Sequence, residues 1–343
     1  MERNSLRGPL LRSVSRSFYL SLRFLPKPLR DPLSLAYLLA RATDTIADTP
    51  GAPVTLRAEA LRTLAAVIQG TATKEIAAQL RESFVPLQTD KAERALIEQL
   101  RALLDWLDDL RSEDRNEVRS VLSKINRGQS LDLERFDAST STSTSTSTST
   151  STSTSIKALR TAEELDEYTY LVAGCVGEFW TRLCFRHVKN FSAHPESEMS
   201  TLGVQYGQGL QLINILRDAG DDLRNGRCYF PADELDSLGL NPADVLADPA
   251  RLYPVLTRWR EKAEEGMEAG IDYTGAIRNR RVRFATALPA LIGARTLALL
   301  RQAGAEALLR RIKVPRAEVR KLITSSMLAS PRSLRTTFEK LLL

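Results

Sequence analysis

The chain is poor in cysteine and histidine and has no long apolar run, and each shortage removes a class of protein. Three cysteines, Cys175, Cys184 and Cys228, form an odd set without framework spacing. That excludes a disulfide-stapled secreted scaffold and suits a reducing compartment. With only His187 and His194 available, a zinc site would need Cys184 and His187 plus distant ligands, and chance helical spacing accounts for that pair. The nearest approach to a membrane span, Ala285 to Leu300, is broken by Pro289, Gly293 and Arg295, so no transmembrane segment is expected. The Arg- and Ser-rich N-terminus lacks the apolar core of a secretory signal. No G-x-G-x-x-G follows a strand pattern, so no motif independently indicates a dinucleotide.

Alternation of β-branched residues is scarce as well. Leu, Ala, Arg and Glu fill long stretches, and an apolar content of 43% is enough for a core, so an all-α chain is expected. A helix is predicted from Asp31-Pro32 to Asp48, where Pro50-Gly51 stops it. Further amphipathic stretches cover about 55–69, 91–110, 113–136, 161–190, 197–224, 255–273, 281–303, 315–328 and 331–342. Gly226, Pro231, Gly239, Pro242 and Pro249 punctuate 225–254, which reads as loop with short helical turns. Ser139 to Ser155 is a strict Ser/Thr alternation with nothing to bury, and it reads as a flexible loop. The constellation below needs residues from both sides of that loop, so 1–343 is read as a single domain.

The net charge of +6 is uneven: residues 276–343 hold 15 Lys/Arg against 3 Glu. Most of these cations read as a solvated face with arginines lying over apolar surface. A contact with anionic lipid, a nucleotide cofactor or nucleic acid is the sharper alternative.

Against this background two aspartate pairs stand out, Asp44/Asp48 and Asp218/Asp222. Like charges four residues apart weaken a helix by a few tenths of a kcal/mol, so two such pairs point to a bound cation. At about 100° per residue, Tyr37, Arg41, Asp44 and Asp48 share one helical stripe, and Gln211, Asn214, Asp218 and Asp222 share another. A solvated surface stripe would look similar. Mg²⁺ prefers one or two carboxylates plus waters and substrate phosphates, so two facing stripes with Asn214 suit ions bridged by a diphosphate. Arg16, Arg41, Arg217 and Arg227 would supply guanidinium forks for phosphate oxygens.

Four ordered blocks carry a family resemblance: Ser15-Arg16-Ser17-Phe18; Tyr37 through Asp48; Tyr168 through Gly177; and Gln211 through Pro231, ending in Gly226-Arg227-Cys228-Tyr229-Phe230-Pro231. Together they resemble the head-to-head trans-prenyl transferases, the squalene and phytoene synthases. The resemblance implies an isoprenoid-synthase helical bundle around a central apolar cavity with the aspartates at its mouth. It implies Mg²⁺, with Mn²⁺ as a substitute, on Asp44, Asp48, Asn214, Asp218 and Asp222. It implies diphosphate held or oriented by Ser15, Arg16, Ser17, Phe18, Tyr37, Arg41, Gln211, Arg217 and Arg227, and a proton taken or relayed by Tyr168. Small residues Ala173, Gly174 and Gly177 would either admit prenyl chains or serve tight helix packing.

Thr45 follows Asp44 where phytoene synthases usually carry a second aspartate, so the motif looks more like the squalene synthase form. Ile312-Lys313-Val314-Pro315-Arg316 resembles the segment near the nicotinamide cofactor, which implies NADPH at Lys313 and Arg316, although Pro315 replaces a frequent basic residue. The implied activity is condensation of two farnesyl diphosphates to squalene through presqualene diphosphate. Presqualene diphosphate, hydroxysqualene, dehydrosqualene or phytoene are alternative products, and a non-catalytic membrane- or nucleic-acid-binding relative is a remote one. The implied protein is cytoplasmic or peripheral on the membrane, with no nucleic acid and no obligate protein partner.

Overall fold

The computed structural model describes residues 5–15, 18–136 and 156–343. The expected Ser/Thr loop at 139–155 lies outside the described residues. A π-helical turn, Leu6–Leu10, leads into α1 (Leu11–Ser15), followed by α2 (Phe18–Phe24), α3 (Lys27–Ala47), α4 (Val54–Gln69), α5 (Ile76–Phe84), α6 (Lys91–Glu98), α7 (Leu100–Asp108) and α8 (Ser112–Phe136). Strand β1 (Lys157–Leu159) precedes α9 (Ala162–Thr169), a second π-helical turn at Tyr170–Gly174, α10 (Cys175–His187) and α11 (Glu196–Arg224). Strand β2 (Arg227–Pro231), α12 (Ala232–Ser237), α13 (Tyr253–Ala276), α14 (Arg280–Ala303), α15 (Arg316–Ser326) and α16 (Pro331–Leu342) complete the order.

The all-α expectation holds, with differences at boundaries. Helix α3 starts at Lys27 rather than Asp31, because Pro28 in its first turn gives up no hydrogen bond there. The stretch 91–110 divides at Gln99, and 161–190 divides at the π-helical turn. The first helices and α5 carried no periodic signal strong enough to predict. Strands β1 and β2 pair in parallel, Lys157 with Arg227 and Ala158 with Cys228. At three and five residues they are too short for an alternation to show.

Buried side chains form two clusters. One gathers α3, α4, α7 and α8 around residues such as Leu38, Leu64, Leu103 and Val118. The other gathers α11, α13, α14 and α16 around Trp259, Met267, Leu291 and Phe338. Helix α11 lies between α10 and α13, and glycines let it approach both. A Cβ on Gly177 would fall 2.0 Å from the Gly203 carbonyl oxygen, and one on Gly209 would fall 2.7 Å from the Gly266 Cα. Gly174 meets Gln208, Tyr170 and Val204, and Ala173 offers its carbonyl to the space beside Gly207. Of the two roles considered for these small residues, helix packing is the one their contacts show.

The stretch Arg280–Leu308 is long and apolar enough to cross a bilayer, yet 72% of its most apolar window is buried against other helices, as in a core helix. His187 is bonded to Asp114 at 2.7 Å, a partnership within the fold.

Gly177→Ala should force α10 and α11 apart and cost about 2 kcal/mol, the range for overpacking a tight contact. Urea denaturation checks this; an unchanged midpoint would contradict the close approach.

Candidate active site

Helices α3 and α11 present their acidic stripes to the same space. Asp48 stands one residue past α3, its N–H on the Asp44 carbonyl at 2.9 Å, so the second carboxylate still extends the stripe. Asp44, Asp48, Gln211, Asn214, Asp218 and Asp222 line one cavity of about 190 Å³. Tyr168 of α9, Gln129 and Asp132 of α8, and Arg227 and Tyr229 of β2 complete its wall. The residues on either side of the Ser/Thr tract therefore meet.

Arginines currently occupy the carboxylates. Arg41 pairs with Asp44 and with Glu93 of α6. Arg217 Nε donates to Asp218 Oδ1 at 3.0 Å, and Arg311 Nε approaches the same oxygen at 2.9 Å. Arg227 lies 3.2 Å from Asp132 and 3.7 Å from Asp48, joining β2 to both α8 and α3. Two glycines make these approaches possible. Gly226 turns the chain out of α11 at φ +82°, and Gly220 rests on the backbone of Leu308, where a Cβ would lie 1.9 Å from the carbonyl oxygen. That contact brings the segment bearing Arg311 over Asp218.

Desolvation sets the charge states. Burial pushes the Asp44 carboxyl up to about 6, with Asp48 adding to the rise and Arg41 opposing it. Its side chain is 39% exposed, but that opening faces the cavity and the protein encloses the remainder. Burial likewise raises Asp132 to about 6 against the pull of Arg227. Asp222 rises to about 7 through burial and the neighbouring Asp218 charge. Asp218 moves the other way: burial would raise it, but Arg217 and Arg311 hold it below the usual carboxylate range. Burial also keeps the phenols of Tyr168 and Tyr229 well above their ordinary value. Their rings stack at 5.1 Å, their hydroxyls are 3.5 Å apart, and Tyr229 donates to Asp132 Oδ1 at 2.7 Å.

Behind the polar cavity lies an apolar chamber of about 430 Å³, with Leu33, Ala36, Val121, Ile125, Val172, Phe179 and Trp180 among its walls. Asp44, Gln129, Tyr168 and Gln211 line both spaces, so the carboxylates stand at the chamber's mouth. Tyr37 and Arg41 also line the chamber, and Tyr37 Oη donates to the Val14 carbonyl at 3.0 Å, tying α1 to α3.

Other predicted residues fall elsewhere. Arg16 and Ser17 lie outside the described residues, and Phe18 begins α2. Ser15 is buried and its hydroxyl donates to Leu11 within its own helix, so it lines neither space. Arg217 reaches Asp218 from outside the cavity wall. Lys313 and Arg316 are exposed and line neither space, although they follow closely on Arg311.

Asp132, Tyr229, Arg311 and Glu93 were not anticipated as functional. Asp132 had a readable signal: with Gln129 it puts polar groups on the face of α8 that also carries Ile125 and Phe136. Tyr229 sat inside a quoted block without a role. Arg311 and Glu93 had no local signal, because only packing brings them to the aspartates.

The donor set is all oxygen, which suits a hard cation such as Mg²⁺. Among the described residues no three acidic, histidine or cysteine side chains converge tightly enough to enclose a cation alone. Each wall offers only part of a coordination shell.

The sequence pattern of squalene/phytoene synthases matches residues 11–318. The chain belongs to the squalene/phytoene synthase family. It is 29% identical over 256 residues to a bifunctional lycopene cyclase/phytoene synthase from Phaeosphaeria nodorum, covering 74% of this chain and 38% of that protein. It is 25% identical over 317 residues to a squalene synthase from Gibberella zeae, covering 91% of this chain and 62% of that one. The chain therefore spans about two-fifths of the first relative's length and less than two-thirds of the second's. In structure it is similar to TcSQS in complex with a ligand, at TM-score 0.78 and 18% identity, covering 99% of this chain and 90% of that one. Family membership and fold agree, and similarity to both kinds of synthase leaves the product to be proposed.

The raised carboxyls have a consequence for stability. A native carboxyl that holds its proton more tightly than the unfolded one makes the fold progressively less stable as pH rises, from the unfolded value of about 4 to the folded value. For Asp222 that window closes near pH 7. Without divalent ions, Asp222→Asn should therefore gain stability relative to the parent between pH 4.5 and 7.5 (about the span of that titration). Denaturant midpoints across that range check this; a difference independent of pH would contradict it.

Proposed function

We propose that this chain is a squalene synthase, a Mg²⁺-dependent prenyltransferase that joins two farnesyl diphosphates head to head into presqualene diphosphate and reduces it to squalene with NADPH. The observation that supports this most is the junction between a carboxylate-walled cavity and an apolar chamber, with Tyr168 and Gln211 shared by both. A diphosphate would rest in the first and a prenyl chain in the second.

Asp44 and Asp48 would hold metal from one wall, and Asn214, Asp218 and Asp222 from the other. Bound Mg²⁺ supplies charge neutralisation for the departing diphosphate. Arg41 and Arg227 are placed to transfer from carboxylates to phosphate oxygens as substrate enters, and Arg217 and Arg311 stand ready beside Asp218. Arg16 would add a further guanidinium fork, beside Ser17 and Phe18. The apolar walls exclude water from the allylic cation.

Tyr168 is a neutral phenol at physiological pH, so it serves better as a relay than as a base. Its oxygen can take the proton lost in cyclopropane formation while its own passes to Tyr229 and on to Asp132, whose raised affinity suits an acceptor. Lys313 and Arg316, exposed and without partners among the described residues, have charge available for the phosphates of NADPH.

Thr45 favours the squalene form. It is buried in α3, so the wall carries Asp44 and Asp48 and no third acid. Similarity to a phytoene synthase supports the second reading, in which longer prenyl diphosphates are joined without reduction.

Product analysis by mass, from farnesyl or geranylgeranyl diphosphate with Mg²⁺ and with or without NADPH, separates squalene, presqualene diphosphate, hydroxysqualene, dehydrosqualene and phytoene. Asp44→Asn and Asp218→Asn should each lower coupling at least about a hundredfold with the fold intact, the scale of losing transition-state electrostatics. Wild-type turnover in either variant would refute the metal assignment. Tyr168→Phe should still bind substrate, read by calorimetry, and turn over poorly; undiminished turnover would remove the relay.

A further inference from the structure

Arg41 is shared between two acids that stand in different surroundings. One terminal nitrogen of its guanidinium donates to Asp44 and the other to Glu93 of α6. Asp44 lines both the polar cavity and the apolar chamber, whereas Glu93 lines neither. Among the described residues, the other arginines on the acidic walls have no such outside partner. Arg217 and Arg311 pair with Asp218, and Arg227 pairs with Asp48 and Asp132, acids that all line the cavity.

Glu93 belongs to an element fixed to the same wall as Arg41. Asp90 caps α6, accepting from the N–H groups of Ala92 and Glu93 at 2.7 and 3.2 Å, so the first turn that carries Glu93 is closed. Arg94, the next residue, donates to the Gln88 carbonyl at 2.9 Å. Gln88 Nε2 donates to Thr49 Oγ1 at 2.8 Å, and Thr49 Oγ1 donates to the Thr45 carbonyl at 2.6 Å. Gln88 and Thr49 are buried, and Thr49 directly follows Asp48, so this chain of bonds ties the start of α6 to the acidic end of α3. As a stabilising contact the Arg41–Glu93 pair counts for little, because side chains 35% and 29% exposed form an ion pair that water screens. Its placement calls for another account.

We propose that Glu93 is a positioning residue for Arg41: it holds one end of the guanidinium so that the other end is presented to a diphosphate oxygen when a cation occupies Asp44. The identity of that anion rests on the proposed function. A cation seated on Asp44 competes with Arg41 for its oxygens. An untethered arginine would then recover much of its rotamer freedom, and its planar fork would lose its aim. Glu93 lies outside the cavity, so it keeps its half of the pair during the exchange. The freed N–H groups therefore start from a fixed place at the mouth, and little ordering is left to do as the anion binds.

The sign of one measurement separates positioning from mere proximity. A bystander acid repels a nearby anion, so neutralising it tightens anion binding; a positioning acid does the reverse. In calorimetry of the full chain with inorganic pyrophosphate and Mg²⁺, Glu93→Gln should weaken binding about tenfold, the scale of one hydrogen bond to a charged group. Arg41→Gln should weaken it at least as much. Adding Glu93→Gln to Arg41→Gln should change it by less than about twofold, because both act through one contact. Glu98→Gln, at an exposed acid of the same helix, should leave the affinity within about twofold, since solvent screens it. The melting temperature of Glu93→Gln should match the parent's. Unchanged or tighter binding in Glu93→Gln, an undiminished effect in the Arg41→Gln background, or an equal loss in Glu98→Gln would each overturn the positioning role. A parent that binds no pyrophosphate with Mg²⁺ would overturn it together with the diphosphate site. Coupling of farnesyl and geranylgeranyl diphosphate is followed in parallel. A parent that shows the binding pattern above and couples neither substrate would overturn the synthase reading and leave Glu93 its role.

Discussion

The molecule is organised around an electrostatic conflict: two rows of carboxylates face each other across a small, partly desolvated space. Desolvation holds Asp44 and Asp222 near neutrality at mildly acidic pH, while Arg217 and Arg311 keep Asp218 ionised. A charge so placed is tolerable only with a partner close by, because burying an unpaired carboxylate is among the costliest things a fold can do. The partners come from separate parts of the chain: Arg41 from α3, Arg227 from β2 and Arg311 from the segment after Leu308. The anions of the site are thus matched by guanidinium groups that the fold brings from a distance.

Helix α11 makes the arrangement possible. One side of it carries Asn214, Asp218 and Asp222, and its glycines allow α10, α13 and the Leu308 backbone to approach at near-contact distance. Because those contacts are backbone against backbone, the acidic wall has little freedom to drift. Helix α3 provides the opposing wall and also spans the chamber, with acids at one end and bases at the other. The two ends of the helix therefore differ in the sign of their charge.

Residues that act through their position on a helix were legible before any coordinates. Asp44, Asp48, Asn214, Asp218 and Asp222 share stripes because 3.6 residues per turn is a local property, and their shared cavity follows the pattern. The long helices were legible for the same reason. Residues that act through contacts between distant segments were not. Glu93 beside Arg41, Arg311 over Asp218, and the chain from Tyr168 through Tyr229 to Asp132 join positions separated by tens of residues. The short β1–β2 ribbon escaped notice because its strands carry too few residues for a period to show.

Helical periodicity and residue chemistry were thus enough to establish an all-α chain with two acidic stripes and arginines near them. Local spacing determines which side chains share a face of one helix, and it requires nothing else. Tertiary packing alone decided that the stripes face each other, that an apolar chamber opens behind them, and that Asp132 is buried against Arg227. Those outcomes depend on how closely helices approach and on what desolvation does to each charge, and neither quantity exists until the chain is folded.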